Sequence, residues 1–292
     1  MDTLERVLIH AATLLERLEA LLPSSKTLAP DWSSANAFRW QRRNGRGILH
    51  PVHHLHNISL SDLQDIDQQK QRVEQNTRQF VMGKPANNVL LTGARGTGKS
   101  SLVKALLNEY APQGLRLIEI GKEGLADLPE IVELVSVRTE RFVLYCDDLS
   151  FDAEEPGYQA LKAALDGSLV ALSDNLLIYA TSNRRHLMPE YMQENSDAKH
   201  VGDEVHPAEA VEEKISLSER FGVWASFYPF DQEQYLKIAE YWVAYLKAPL
   251  DDIEAMRRAA LQWALTRGAR SGRVAWQFAR DWAGRTRLAR SK

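Results

Sequence analysis

The stretch Asn87-Asn88-Val89-Leu90-Leu91-Thr92-Gly93-Ala94-Arg95-Gly96-Thr97-Gly98-Lys99-Ser100-Ser101 leaves this chain little freedom in how it folds. An apolar run, Val89 to Leu91, has the character of a buried parallel strand. It breaks into a glycine-rich turn, and the turn feeds a helical pattern from Ser100 to Tyr110. Gly93, Gly98, Lys99 and Ser100 match G-x-x-x-x-G-K-[ST] at every position, the spacing of a loop that wraps phosphate. Glycines let successive backbone N–H groups face an anion without a Cβ in the way. The following helix adds the positive end of its dipole. The expected phosphate cradle is Gly93, Ala94, Arg95, Gly96, Thr97, Gly98, Lys99, Ser100 and Ser101. Lys99 would reach the terminal phosphates, and the Ser100 hydroxyl would ligate Mg2+. A chance match in an ordinary strand-to-helix turn is the alternative, and the flanking strand and helix argue against it. A nucleoside triphosphate is the expected ligand.

A chain of 292 residues suits one large domain with smaller attachments. Its net charge of −3 excludes a polycation that would coat nucleic acid indiscriminately. The lone Cys146 rules out a disulfide framework and fits a reducing compartment. Asp2, Glu5 and Arg6 interrupt the N-terminus, and no apolar run approaches a membrane span. The expectation is a cytoplasmic protein with no membrane partner.

Residues 4–22 carry leucines and alanine at helical spacing, an amphipathic helix ending at Pro23. A connector follows, and then Phe38 to Arg46 mixes arginines with aromatics. That mixture would serve bases and phosphates, or simply a solvated strand or helix. His50, His53, His54 and His56 invite a metal, but Pro51 breaks the helical spacing and no cysteine is near, so a loop is expected. From Leu60 onward helices alternate with short apolar strands. Helices are expected over 61–82, 100–110, 125–137 and 158–165, and strands over 89–91, 115–120, 142–146, 176–181 and 223–228. A polar, acidic excursion spans 189–213, with a short turn at 217–221. Such alternation implies a parallel sheet covered on both faces. After Pro229 the pattern is helical throughout. The expected division is an N-terminal helical segment and connector (1–57), an α/β core (58–230) and a C-terminal helical lid (231–292).

Later stretches answer the phosphate loop. The third expected strand ends in Asp147 and Asp148. Asp147 would hold the metal, and Asp148 would polarise the attacking water. The fourth ends in Asn183, an uncharged amide placed to orient that water. Arg220, just before the fifth strand, would lie away from its own nucleotide and act in trans on a neighbour's; an intramolecular ion pair is the alternative. In the lid, Arg273 is the residue expected to touch nucleotide, with Arg270 its rival.

Together these residues resemble the AAA+ ATPases, and within them the bacterial branch filed as domain of unknown function 815, over roughly Ile58 to Trp282. The likeness rests on Ala86–Leu91, Gly93–Lys104, Leu115–Glu119, Cys146–Phe151, Ala180–Leu187, Ser218–Gly222 and Ser271–Arg273. By that resemblance Gly93–Ser100 looks like Walker A, Asp147-Asp148 like Walker B, Asn183 like sensor one, Arg220 like the arginine finger and Arg273 like the sensor-two arginine. It implies a P-loop NTPase with a five-stranded parallel sheet in the order five-one-four-three-two, binding ATP and Mg2+ and assembling into a homo-oligomeric ring or spiral. One departure stands out. Where the branch usually has glycine after the motif matching Leu60–Leu63, this chain has Gln64-Asp65. Leu63, Ile66 and Ile238 are the expected apolar walls of the adenine pocket.

Two functions follow. One is an ATPase whose hydrolysis remodels or loads a protein client. The other is a nucleotide-gated, DNA-associated switch with slow hydrolysis, since Asp148 is shorter than the Glu common at that place. The segment after the second expected strand, Gly121 to Leu125, lacks the aromatic of a protein-threading loop. The acidity of 189–213 disfavours a phosphate backbone, while the arginines of the last helix would meet DNA or face water. A small-molecule kinase is disfavoured because Arg220 and the lid need no acceptor pocket.

Overall fold

A computed structural model describes residues 30–43, 46–151, 156–166, 173–183, 217–249 and 252–290. The expected helix over 4–22 and the acidic excursion over 189–213 lie outside them. Seven strands form one sheet: β1 (Ala37–Arg43), β2 (Arg46–Pro51), β3 (Val89–Gly93), β4 (Leu115–Ile120), β5 (Arg141–Cys146), β6 (Leu176–Ser182) and β7 (Val223–Phe227). Their order is β2-β1-β4-β5-β6-β3-β7. The five strands from β3 to β7 run parallel and reproduce the order five-one-four-three-two that the resemblance implies.

The strand count of five is corrected to seven. The arginine-rich stretch read by its charge is a hairpin, and β1 continues the sheet by pairing in parallel with β4. Its alternation explains why. Phe38 and Trp40 point into the core while Arg39 and Gln41 face out. Two of the exposed arginines are held by acids: Arg39 pairs with Glu119 at 2.9 Å and Arg42 with Asp127 at 3.0 Å. Trp40 donates its indole N–H to the same buried Asp127. The two aromatic rings are thus core rather than a stacking platform for bases. His50 belongs to β2, and His53 and His54 follow it in the connector. Among the described residues no group of three or more His, Cys, Asp or Glu side chains could hold a metal ion.

Period-two alternation divides the buried strands between two cores. Val89, Leu91, Val143, Tyr145, Leu177 and Tyr179 face one. Leu90, Phe142, Leu144, Leu176 and Ile178 face the other. The first is covered by α1 (Asp67–Val81), α2 (Lys99–Tyr110) and the lid; the second by α3 (Leu128–Ser136) and α4 (Pro156–Leu165). Leu102, Leu106 and Leu107 of α2 are all at most 1% exposed, each contributing about 1.5–3 kcal/mol by burial. One buried polar cluster pins α1 to the sheet. Thr77 and the Tyr179 hydroxyl are 2.8 Å apart, and the Asn76 amide pairs both ways with the Asn87 backbone.

The single helix expected over 61–82 is two pieces. A 3-10 turn at Leu60–Asp62 is separated from α1 by a segment in which Asp65 adopts φ 59°, which ends helical geometry. The expected helix 125–137 opens instead as a 3-10 turn, Lys122–Asp127, with α3 beginning beside Pro129. The lid is three helices: α5 (Gln232–Tyr245), α6 (Ile253–Arg267) and α7 (Gly272–Arg290). Asp231 caps α5 and Asp252 caps α6, each accepting a backbone N–H three residues on.

Gly93 shows how closely the phosphate loop is set against β7. Its φ is 126°, and a Cβ there would sit 1.9 Å from the Phe227 carbonyl oxygen. Gly93→Ala is expected to destabilise the fold by roughly 2–4 kcal/mol, read as a fall in the urea midpoint with an unchanged slope.

Candidate nucleotide site

The site sits where the carboxyl ends of β3, β5 and β6 meet the start of α2, and the lid closes its far side. It is a cleft of about 610 Å³, within the range of small-molecule sites. Gly98, at φ 105°, turns the chain directly into α2, a left-handed step that glycine takes without a steric cost. Thr97 braces the loop by donating to the Ala94 carbonyl at 2.8 Å. The Lys99 ammonium folds back over the loop, 2.6 Å from the Gly93 oxygen and 2.7 Å from that of Ala94. It also donates to Asn183 Oδ1 at 3.1 Å. Burial draws the Lys99 pKa below its ordinary value; Asp148 and Asp147 oppose that, while Arg95 and Arg273 add to it.

Ser100 and Asp147, both expected as metal ligands, lie within hydrogen-bonding distance of each other. The Ser100 hydroxyl donates to Asp147 Oδ1 at 2.8 Å, and the Thr181 hydroxyl donates to the same oxygen at 2.6 Å. Burial alone would raise the Asp147 carboxyl, but the hydrogen bonds from Thr181 and Ser100 help bring it below its ordinary value. A serine hydroxyl and a carboxylate held this close are hard oxygen donors, a set that suits Mg2+. Asp148 takes a left-handed backbone, φ 53°, with its N–H on the Thr181 hydroxyl at 2.9 Å. Its carboxylate accepts from the Asn183 amide and lies 3.7 Å from the Arg95 guanidinium.

Thr181 is the residue that sequence reasoning missed. It lies two positions before Asn183, and the β5–β6 register sets Cys146 against Ala180, bringing Asp147 to Thr181. The implied strand order already makes β5 and β6 neighbours, but only their residue register pairs Thr181 with Asp147.

Arg273 lines the cleft and Arg270 does not. Arg220 lies outside its own cleft, with its Nε on Asp166 just past α4. Ser101 lines the cleft beside Ser100. The far end of the cleft is apolar. Leu63 and Ile66 face Ile238, with Phe230, Trp242, Tyr245 and Trp276 completing the wall. Trp242 and Trp276 pack edge to face at 4.8 Å. These lid aromatics carry no local sequence signal, because they converge from α5 and α7.

Phosphate loop, five-one-four-three-two core and helical lid define a P-loop NTPase fold of the AAA+ class. The chain belongs to the family described as protein of unknown function (DUF815), whose model matches residues 33–286. Comparison with curated proteins gave no match. Among solved structures, the chain is similar to the Aeropyrum pernix ORC1 protein in complex with DNA. That likeness has 15% identity and a TM-score of 0.52 over 73% of this chain and 58% of that one. It is also similar to a chain of the E. coli MS115-1 HORMA:CdnC:Trip13 complex, at 14% identity and TM-score 0.49, covering 76% and 90%. The Thermotoga maritima RuvB Holliday junction branch migration motor gives 14% identity and TM-score 0.39, covering 75% and 70%. At 15% identity the likeness to ORC1 speaks for the fold alone, and nothing further is drawn from the other two. No described helix is long and apolar enough to cross a membrane.

Proposed function

We propose that this protein is a magnesium-dependent ATPase, hydrolysing ATP to ADP and phosphate and coupling that cycle to remodelling or loading of a protein client. One observation carries the reading. A single hydrogen-bonded chain runs from Lys99 through Asn183 to Asp148, while Ser100 and Thr181 converge on Asp147 beside it. It lies at the mouth of a glycine-rich loop and the N-terminus of a 12-residue helix.

Backbone amides of the loop and Lys99 would hold the phosphates, with Ser100 and Asp147 the ligands of Mg2+. Magnesium, when bound, would neutralise charge on the β- and γ-phosphate oxygens. Asp148 accepts a proton from, or orients, the attacking water, and Asn183 fixes Asp148 and that water against the terminal phosphate. Arg273 reaches the phosphates from the lid. Arg220 completes the site of a neighbouring copy, so self-association into a ring or spiral belongs to the mechanism. The ion pairs of Arg39 and Arg42 in β1, and the burial of Phe38 and Trp40, favour a protein client over DNA.

The test is phosphate release from ATP with and without Mg2+, in the unaltered protein and in Asp148→Asn. That variant is expected to keep its ATP affinity and lose turnover by roughly 10²–10⁴-fold, the scale of a removed general base. Chelation of Mg2+ should stop release in both proteins. Hydrolysis at the normal rate by Asp148→Asn moves the water-polarising role elsewhere. Lack of any ATP affinity in the unaltered protein overturns the function. Steeply salt-dependent, ATP-gated DNA binding would favour a DNA-associated switch instead.

A further inference from the structure

The apolar end of the cleft has two walls from distant parts of the chain, and two polar contacts tie them together. One wall is the connector between β2 and α1; the other is lid helix α5. The Tyr241 hydroxyl donates to Asp62 Oδ1 at 2.5 Å, and the Lys237 ammonium donates to Asp65 Oδ1 at 3.0 Å. Lys237 and Tyr241 are four apart, so they share one face of α5. Each contact sits directly beside cleft-lining residues. Gln64 and Ile66 flank Asp65, Ile238 follows Lys237 and Trp242 follows Tyr241.

Asp62 is held independently of the lid, because the Ser59 N–H donates to its Oδ2 at 2.6 Å. Asp65 is different. Its φ of 59° is a conformation that glycine adopts freely and other residues adopt at a cost. Its side chain is only 16% exposed, and its buried Oδ2 has no hydrogen-bond partner among the described residues. The position therefore keeps a carboxylate under unfavourable backbone and solvation conditions, and the ammonium of the lid is its ion-pair partner. A role in backbone turning alone would be met better by glycine.

We propose that Asp65 and Lys237 form a latch between connector and lid that sets the spacing of the two apolar walls, so that nucleotide affinity depends on a pair that never touches the nucleotide. Both are positioning residues, and the inference rests on reading the cleft as a nucleotide site. The latch holds the lid against the connector, lowering the escape rate of bound ATP and leaving the phosphate chemistry alone.

Three variants test it: Asp65→Asn, which tolerates the same backbone angle but lacks the charge, Lys237→Met, and the two combined. ATP affinity is read from tryptophan fluorescence, since Trp242 and Trp276 line the cleft. Phosphate release gives KM and kcat, and nucleotide-free melting temperature controls for folding. Each single variant is expected to bind ATP roughly three- to fivefold more weakly, the upper range for a partly exposed ion pair. KM should rise to match with kcat unchanged. The double variant should be no weaker than either single one, because both remove the same contact. Unchanged affinity in both singles, or effects that multiply in the double, overturns the latch. A lowered melting temperature with unchanged affinity makes the pair structural and overturns it equally. If the unaltered protein does not bind ATP, the nucleotide reading itself fails, a result distinguishable from normal binding with indifferent variants.

Discussion

Lys99→Ala is expected to weaken ATP binding by at least about 100-fold, the scale of losing two charge-assisted hydrogen bonds, and to abolish phosphate release. Lys99 is 6% exposed, and its ammonium donates to two carbonyls of its own loop at 2.6 and 2.7 Å. Those carbonyls hold it at the loop mouth, where phosphate oxygens would replace them as partners. Alanine removes the positive charge from a site that also contains Asp147 and Asp148, leaving their fields to repel the polyanion. Titration calorimetry with ATP and Mg2+ reads the loss directly. The melting temperature of the nucleotide-free protein separates it from misfolding. Unchanged turnover would remove the whole site assignment, because the other roles are defined relative to this ammonium.

The second large effect is expected at Arg220, and it should appear only in assemblies. Arg220→Ala is expected to leave ATP affinity intact and to slow turnover by roughly 10³-fold or more, as for arginines supplied in trans to phosphoryl transfer. The reasoning is positional. Arg220 precedes β7, at the opposite end of the strand from the residues that meet the phosphate loop, and its guanidinium is engaged by Asp166 rather than by its own cleft. Mixing Arg220→Ala subunits with Lys99→Ala subunits should restore part of the activity, because each supplies what the other lacks. No recovery at any ratio, with assembly preserved on sedimentation, excludes the trans role. Arg220 would then serve its own subunit, as its contact with Asp166 already does.

Much of this was legible in the residues because the information was local. Gly93 to Ser101 specify strand, loop and helix within one short window. Asp147-Asp148 and Asn183 end apolar strands whose expected limits lie within a residue of those found. The helical lid followed from periodicity after Pro229. What escaped was long-range. The stretch of β1 and β2 left strand and helix both open, because the acids that pair with Arg39 and Arg42 lie 80 or more residues away. The break at Asp65 left only one trace in the sequence, Gln64-Asp65 where the branch usually has glycine, and the ion-pair partner of that aspartate, Lys237, lies 172 positions later.

The sequence by itself named the candidate groups: a glycine-rich turn, two acids, an amide and two arginines, each placed by spacing that covalent geometry translates into strand ends and a helix start. Only the tertiary structure decided which of these groups meet. Asp147 finds Thr181 because the β5–β6 register sets Cys146 against Ala180, Arg273 rather than Arg270 enters the cleft because α7 packs against α5, and Arg220 lies outside its own cleft. The reason is physical. Local pattern fixes which face and which end of an element a side chain occupies, whereas neighbours across a sheet or a lid are set by burying the whole apolar surface at once.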